Sequence, residues 1–248
     1  MRILGIDSAT RCVSVALIED EVLIDEKTSD EQLAQACGSD SIGHCAETII
    51  PFINSVLEKR HLTPADLSAI AVSIGPGSFT GLRVGLATAK GIAYSGGLPL
   101  IGISTLLALA AGVKNFDGII CSLLDARKND VYMGLFRRAG DVLSRLTDDA
   151  LLPLDTAIEW IRRNLVETSA DLLCVIGDTG EAHREKLIDA FDTKMILKSD
   201  LDDSPIAQQV ALLARDRLVG ESLDDLGSLV PVYLRRPQAE ATKSPVSY

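Results

Sequence analysis

"IGPGSFTGLRVGLATAKGIAYSGG", residues Ile74 to Gly97, lies between two apolar runs that read as strands, LSAIAVSIG (67–75) and LPLIGIS (98–104). The GPGS segment predicts a turn. Ser78 or Thr80 then caps a helix that runs to about Tyr94 and stops at Gly96-Gly97. No Gly-Lys-Ser/Thr follows the glycines, so this is not a Walker loop, although N–H groups at the helix start suit weak anion binding. Inside the helix Gly81, Gly85, Ala89 and Ala93 recur at every fourth position. A helix-interior glycine costs about 1 kcal/mol relative to alanine. The ridge therefore suggests that a second backbone comes unusually close. That backbone belongs either to this chain, in its 41–62 helix or its sheet, or to a partner's helix. The spacing does not choose between them.

Outward from this stretch the elements repeat. RILGIDS (2–8), CVSVALI (12–18) and VLIDEKT (22–28) predict a three-stranded meander. In 41–62 the apolar residues Ile49, Ile50, Ile53, Val56 and Leu57 fall at helical spacing, and Pro51 predicts a kink or a late start. A short helix over 105–113 follows the strand at 98–104. The pattern then restarts, with three strands in 118–147, a helix over 154–165 and a strand over 172–178. Beyond these come a helix over 181–191, a strand at 194–198 and a helix over 205–220. GIDSATRCVSVAL and LLDARKNDVYMGL align so that Asp7 meets Asp125, Val13 meets Val131 and Leu17 meets Leu135. The matching order predicts an α/β protein of two duplicated βββαβα lobes. The expected division is 1–104, joined by about 221–237, then a smaller lobe at 105–220 and a loose tail at 238–248.

The chain has 248 residues, 47% of them apolar, and no apolar run of bilayer-spanning length. MRILGIDSAT enters a strand directly and lacks signal-peptide features, so the expected location is cytoplasmic, with no membrane association. Five scattered cysteines, none in C-x-x-C spacing, read as reduced packing residues. A formal charge of −11 argues against strong unaided binding to nucleic acid.

Chemistry-bearing patterns are sparse. In actin-like two-lobed kinases and ATPases, each half opens with a hairpin whose Asp and Gly face the phosphates through a metal. Here Asp7 is followed by Ser8-Ala9 and Asp125 by Ala126-Arg127, so neither loop is D-x-G. Gly177 and Gly180 in VIGDTGEAH permit close approach to an adenine or ribose. Asp7, Asp125, Gly177 and Gly180 thus mark a vestigial nucleotide site, with weak nucleotide binding at most as the cofactor expectation. His44, His61 and His183 have no metal-ligand spacing, and no G-x-S-x-G elbow is present. No metal is expected.

GIDSAT…SVAL, SIGPGSFTGLRVGLATAKG, LPLIGISTLLALA, LDARKNDVYMGLF and LVPVYLRRPQAE together resemble the TsaB (YeaZ) family. The resemblance implies an actin-like (ASKHA) fold. It also implies a non-catalytic subunit of the machinery that makes threonylcarbamoyladenosine in tRNA. Such a subunit heterodimerises with a catalytic TsaD-like subunit, helps recruit a TsaE-like ATPase, and meets tRNA only through the complex. The family's helical dimer surface corresponds here to the helices around 44–60 and 79–95. The interface residues this implies are Cys45, Thr48, Phe52, Gly81, Leu82, Gly85, Leu86, Ala89 and Ile92, some of which must face this chain's own core. The same surface implies self-pairing when the chain is alone. Where TsaD-like chains carry two metal-binding histidines, Ser104 and Ala108 stand here, and neither holds a transition metal. The rival readings are an actin-like ATPase or small-molecule kinase using Asp7 and Asp125, and a glycoprotease-type metallopeptidase.

Overall fold

The computed structural model describes residues 1–29, 42–178, 180–191, 195–198 and 205–235. The expected loose tail at 238–248 and Cys37 lie outside them. So do the side chains of 42–46, which include His44 and Cys45.

The first sheet is built from β1 (Arg2–Asp7), β2 (Ser14–Glu19), β3 (Val22–Thr28), β4 (Ala69–Gly75) and β5 (Leu100–Ser104), in the order β3-β2-β1-β4-β5. The first three strands are antiparallel neighbours, and β4 and β5 add in parallel. The second sheet takes β6 (Gly118–Asp125), β7 (Asp130–Ala139), β8 (Val142–Arg145), β10 (Leu173–Ile176) and β11 (Met195–Lys198) in the order β11-β10-β6-β7-β8. Each sheet therefore reads 3-2-1-4-5 in its own numbering, the expected duplication. β9 (Ala150–Pro153) pairs with β7 and has no counterpart in the first sheet. The copies also differ in the first hairpin. Residues 8–13 separate Asp7 from its partner Ser14, whereas 126–130 separate Asp125 from Val131.

Central strands must bury both faces, and their sequences are apolar at consecutive positions accordingly. On β1, Ile3 faces one core while Leu4 and Ile6 face another. Helices α1 (Ile42–Glu58) and α2 (Phe79–Gly96) cover the outer face of the first sheet. Helices α3 (Thr105–Gly112) and α6 (Ile206–Val219) fill the space between the sheets. Helices α4 (Leu154–Glu167) and α5 (Gly180–Phe191) back the second sheet, where Leu154, Ala157, Ile158, Ile161, Leu187 and Phe191 enter its core.

Helix α6 lies across β1, β2 and β4 and against α3. A Cβ at Gly5 would overlap the Ala207 carbonyl oxygen, so β1 needs glycine there to let α6 settle. The sequence boundary at 220 separates this helix from the sheet it covers. Residues beyond it also return to the first lobe. Asp224 accepts from the Gly102 N–H at 2.8 Å and pairs with Arg217 through both oxygens, at 3.0 and 3.1 Å. The Val232 N–H donates to the Ile74 carbonyl at 2.7 Å. Pro51 sits inside α1 on an exposed position, and the helix continues through it.

Candidate functional site

Helix α2 starts as its sequence predicts. The Ser78 hydroxyl accepts the Gly81 N–H at 3.2 Å, and Gly97 closes the helix in the left-handed conformation at φ 62°. The ridge then turns inward. Gly81, Leu82, Gly85, Leu86, Ala89 and Ala93 are all buried in the chain by itself. A Cβ at Gly81 would fall inside 3.0 Å of the Ser8 carbonyl oxygen, and one at Gly85 equally close to the Ser8 hydroxyl. That hydroxyl donates to the Gly81 carbonyl at 2.8 Å, with both groups buried. The close backbone that the glycines admit is therefore the end of β1. As expected partner contacts, Gly81, Leu82, Gly85, Leu86 and Ala89 are corrected: they seat α2 on its own sheet. Thr48, Phe52 and Ile92 are half-buried, and the latter two pack against the same core.

A second strip at the same step faces out. It carries Arg83, Ala87, Gly91 and Tyr94, all exposed, and a Cβ at Gly91 meets nothing within 4 Å. Tyr94 is 80% exposed, and Ile50 on the neighbouring α1 is 54% exposed. Arg83 was the sequence signal for this face, because a four-residue stripe that includes an arginine is the solvated one.

Of the residues expected at a vestigial nucleotide site, Asp7 and Gly177 make internal contacts. Asp7 is fully buried. Its Oδ1 accepts from the Ser73 hydroxyl and from the Ala9 N–H at 3.2 Å, and its Oδ2 from the Thr10 hydroxyl at 2.8 Å. Burial pushes this carboxyl above its ordinary range, and the hydrogen bonds oppose that rise. The Asp125 N–H donates to Asp178 at 2.8 Å, and the Asp125 side chain accepts the Arg127 N–H at 2.8 Å. Asp178 in turn pairs with Arg11 at 3.5 Å, which joins the two hairpin loops. A Cβ at Gly177 would overlap the Leu123 carbonyl, so its φ of 126° serves packing against β6. Gly180 opens α5. An actin-like nucleotide site needs a carboxylate open to metal-bound phosphate, and Asp7 does not fit that need. Ser104 caps α3 through the Leu107 N–H at 3.2 Å and donates to Asp149 at 2.7 Å, while Ala108 is buried between the sheets. Among the described residues no group of three His, Cys, Asp or Glu could hold a metal ion, and no helix is long and apolar enough to cross a membrane.

Two sheets of order 3-2-1-4-5, with helices packed between and outside them, define a duplicated actin-like (ASKHA) α/β protein. The family model for TsaD, tRNA N6-adenosine threonylcarbamoyltransferase, matches residues 39–243. A Bacillus subtilis relative, the tRNA threonylcarbamoyladenosine biosynthesis protein TsaB, is 30% identical over 241 residues, spanning 97% of each chain. The Escherichia coli protein of the same name is 35% identical over 140 residues, 56% of each chain. The solved structure of YeaZ from Pseudomonas aeruginosa superposes with a TM-score of 0.72 at 23% identity, over 94% of this chain and 99% of that one. The chain belongs to the TsaB (YeaZ) family.

Proposed function

We propose that this chain is a non-catalytic subunit in the biosynthesis of threonylcarbamoyladenosine in tRNA. It docks a TsaD-type catalytic subunit through the outer face of α1 and α2 and helps form the surface that recruits a TsaE-like ATPase. The observation that carries the reading is the outward strip Ala87–Gly91, with exposed Tyr94 one turn further on and exposed Ile50 on the neighbouring α1. The strip is small enough for close helix approach, and both apolar side chains face water. The relative matched end to end is named for this pathway. The internal hydrogen bonding of Asp7 favours the non-catalytic reading over an ATPase or kinase. When alone, the chain pairs with a second copy through the same face.

The test is co-expression with the TsaD-type subunit, with size-exclusion chromatography and nucleoside analysis of reconstituted tRNA modification. Gly91→Arg and Tyr94→Glu each weaken the heterodimer at least about tenfold, about 1.4 kcal/mol. Melting temperature does not fall in either variant, since both positions are exposed, and Gly91→Arg gains up to about 1 kcal/mol of helix propensity. Unchanged co-elution of both variants overturns the reading. Turnover of ATP by the chain alone favours a kinase or ATPase instead, and stoichiometric bound metal favours a peptidase.

A further inference from the structure

One face of the molecule gathers cationic and aromatic side chains. Where α2 begins, the Arg83 guanidinium lies 3.8 Å from the centre of the Phe79 ring. Its Nε donates to the Tyr233 hydroxyl at 2.9 Å, and the two rings stand 5.1 Å apart. All three side chains are exposed. Two residues on, Arg235 donates to Asp130 at 2.7 Å and to the Arg127 carbonyl at 3.4 Å. The segment 233–235 thus joins the stacked cluster on the first lobe to the 126–130 turn on the second. That turn carries Arg127 and Lys128, both exposed.

The charges on this face do not cancel. Arg235 is occupied by Asp130 and Arg11 by Asp178. Asp125 stays exposed but accepts the Arg127 N–H. Among the described residues Arg83, Arg127 and Lys128 form no ion pair with a carboxylate. In a chain of net charge −11, these cations form a local point of approach for a polyanion. An arginine laid flat on an exposed aromatic ring also offers a planar surface on which an unstacked base can lie. Protein interfaces also gather aromatic residues and Arg but are depleted of Lys, so Lys128 beside Arg127 is what favours the polyanion.

We infer that this face, from Phe79 and Arg83 through Tyr233 to Arg127 and Lys128, is where the chain touches RNA. The phosphate backbone meets the unpaired cations, and a base stacks on the Arg83–Phe79–Tyr233 cluster. The inference rests on the tRNA-modification reading and assigns it a surface that adjoins the Ala87–Gly91 strip at Arg83 and extends away from it to the second lobe. The acidic remainder keeps the contact weak in the free chain and steeply dependent on salt.

An unmodified, fluorescently labelled tRNA transcript, titrated with the full chain at about 50 and about 200 mM salt, tests it. Ultraviolet cross-linking with peptide mapping runs alongside. Cross-links fall on peptides containing Phe79–Arg83 and Tyr233–Arg235. The double charge reversal Arg83→Glu with Lys128→Glu weakens binding at least about fivefold and lowers the log–log salt slope by about 2. Reversal of Arg162 and Lys186 on the far side of the second sheet leaves both unchanged. Cross-links elsewhere, or unaltered affinity in Arg83→Glu/Lys128→Glu, overturn the inference. So does a variant that loses the TsaD-type subunit in pull-down while keeping RNA affinity, because the face would then be a protein contact. Failure of the wild-type chain to co-purify with that subunit defeats the functional reading, and it is scored without RNA.

Discussion

Replacing Gly85 by alanine puts the inward seating of α2 to a quantitative test. In an exposed helix the change would stabilise by about 1 kcal/mol. Here the new methyl falls inside 3.0 Å of the Ser8 hydroxyl, which is buried and donates to the Gly81 carbonyl. Either the hydroxyl rotates away and that bond is lost, at about 1 kcal/mol, or the helix shifts, at about 1–3 kcal/mol. Set against the gain in helix propensity, the net expectation lies between neutral and a loss of about 2 kcal/mol. Ser8→Ala removes the obstructing oxygen, and the new methyl then meets the Ser8 Cβ at 3.4 Å and Val72 Cγ2 at 3.9 Å, ordinary contacts. In that background Gly85→Ala is neutral or stabilising by up to about 1 kcal/mol, so the double-mutant cycle returns a coupling of about 1–3 kcal/mol. Urea unfolding followed by circular dichroism reads all four corners. A Gly85→Ala protein more stable than the parent by about 1 kcal/mol, or a cycle with no coupling, would refute the reasoning and reopen the ridge to a partner.

Three further outcomes follow from the same geometry. Gly81→Ala meets the backbone carbonyl of Ser8, which no side-chain deletion relieves, so it costs about 3 kcal/mol with or without Ser8→Ala in the same unfolding assay. Asp7 has its folded-state pKa raised by burial, so the folded state holds its proton above the unfolded value of about 3.9. Its contribution is then fully present below about pH 4 and is lost as pH climbs through the folded pKa. Relative to Asp7→Asn, the parent therefore loses stability across that rise, and parallel melts of the two proteins between about pH 4 and 7 that stay superimposed would contradict it. Arg217→Ala removes the pair to Asp224 and a 2.8 Å bond to the Gly102 carbonyl, at about 1–3 kcal/mol, and deuterium exchange at the Gly102 amide rises.

Much of the architecture was readable because its signals are local. Ser78, Gly97 and the β-branched runs fix element ends through capping and strand chemistry within a few residues. The duplication shows in sequence because both hairpins carry the same apolar alternation. β9 escaped because ALLP is three half-exposed residues and an exposed proline, extended by pairing with β7 beside it. The direction of the glycine ridge was not legible from spacing, since both the 81–93 and 83–94 stripes advance by about one helical turn. The contact that seats the inner stripe, with the distant Ser8, leaves no local trace. The roles of Asp7 and Gly177 were hidden for the same reason. Each is fixed by a contact far along the chain, with Ser73 for the carboxylate and Leu123 for the glycine. The outward strip is legible in Arg83 and Tyr94, because the charge of Arg83 marks its stripe as the solvated one.

The crossing of α6 has a consequence for synthesis. The first sheet comes from the opening 104 residues, yet Ile3, Ile18 and Ala71 on its inner face are covered by Val210, Ala211 and Ala214. During translation that face must wait, uncovered, while the entire second half leaves the ribosome. Until the last helix arrives the nascent chain is a half-shielded, sticky intermediate, and a premature stop anywhere before 206 strands it in that condition.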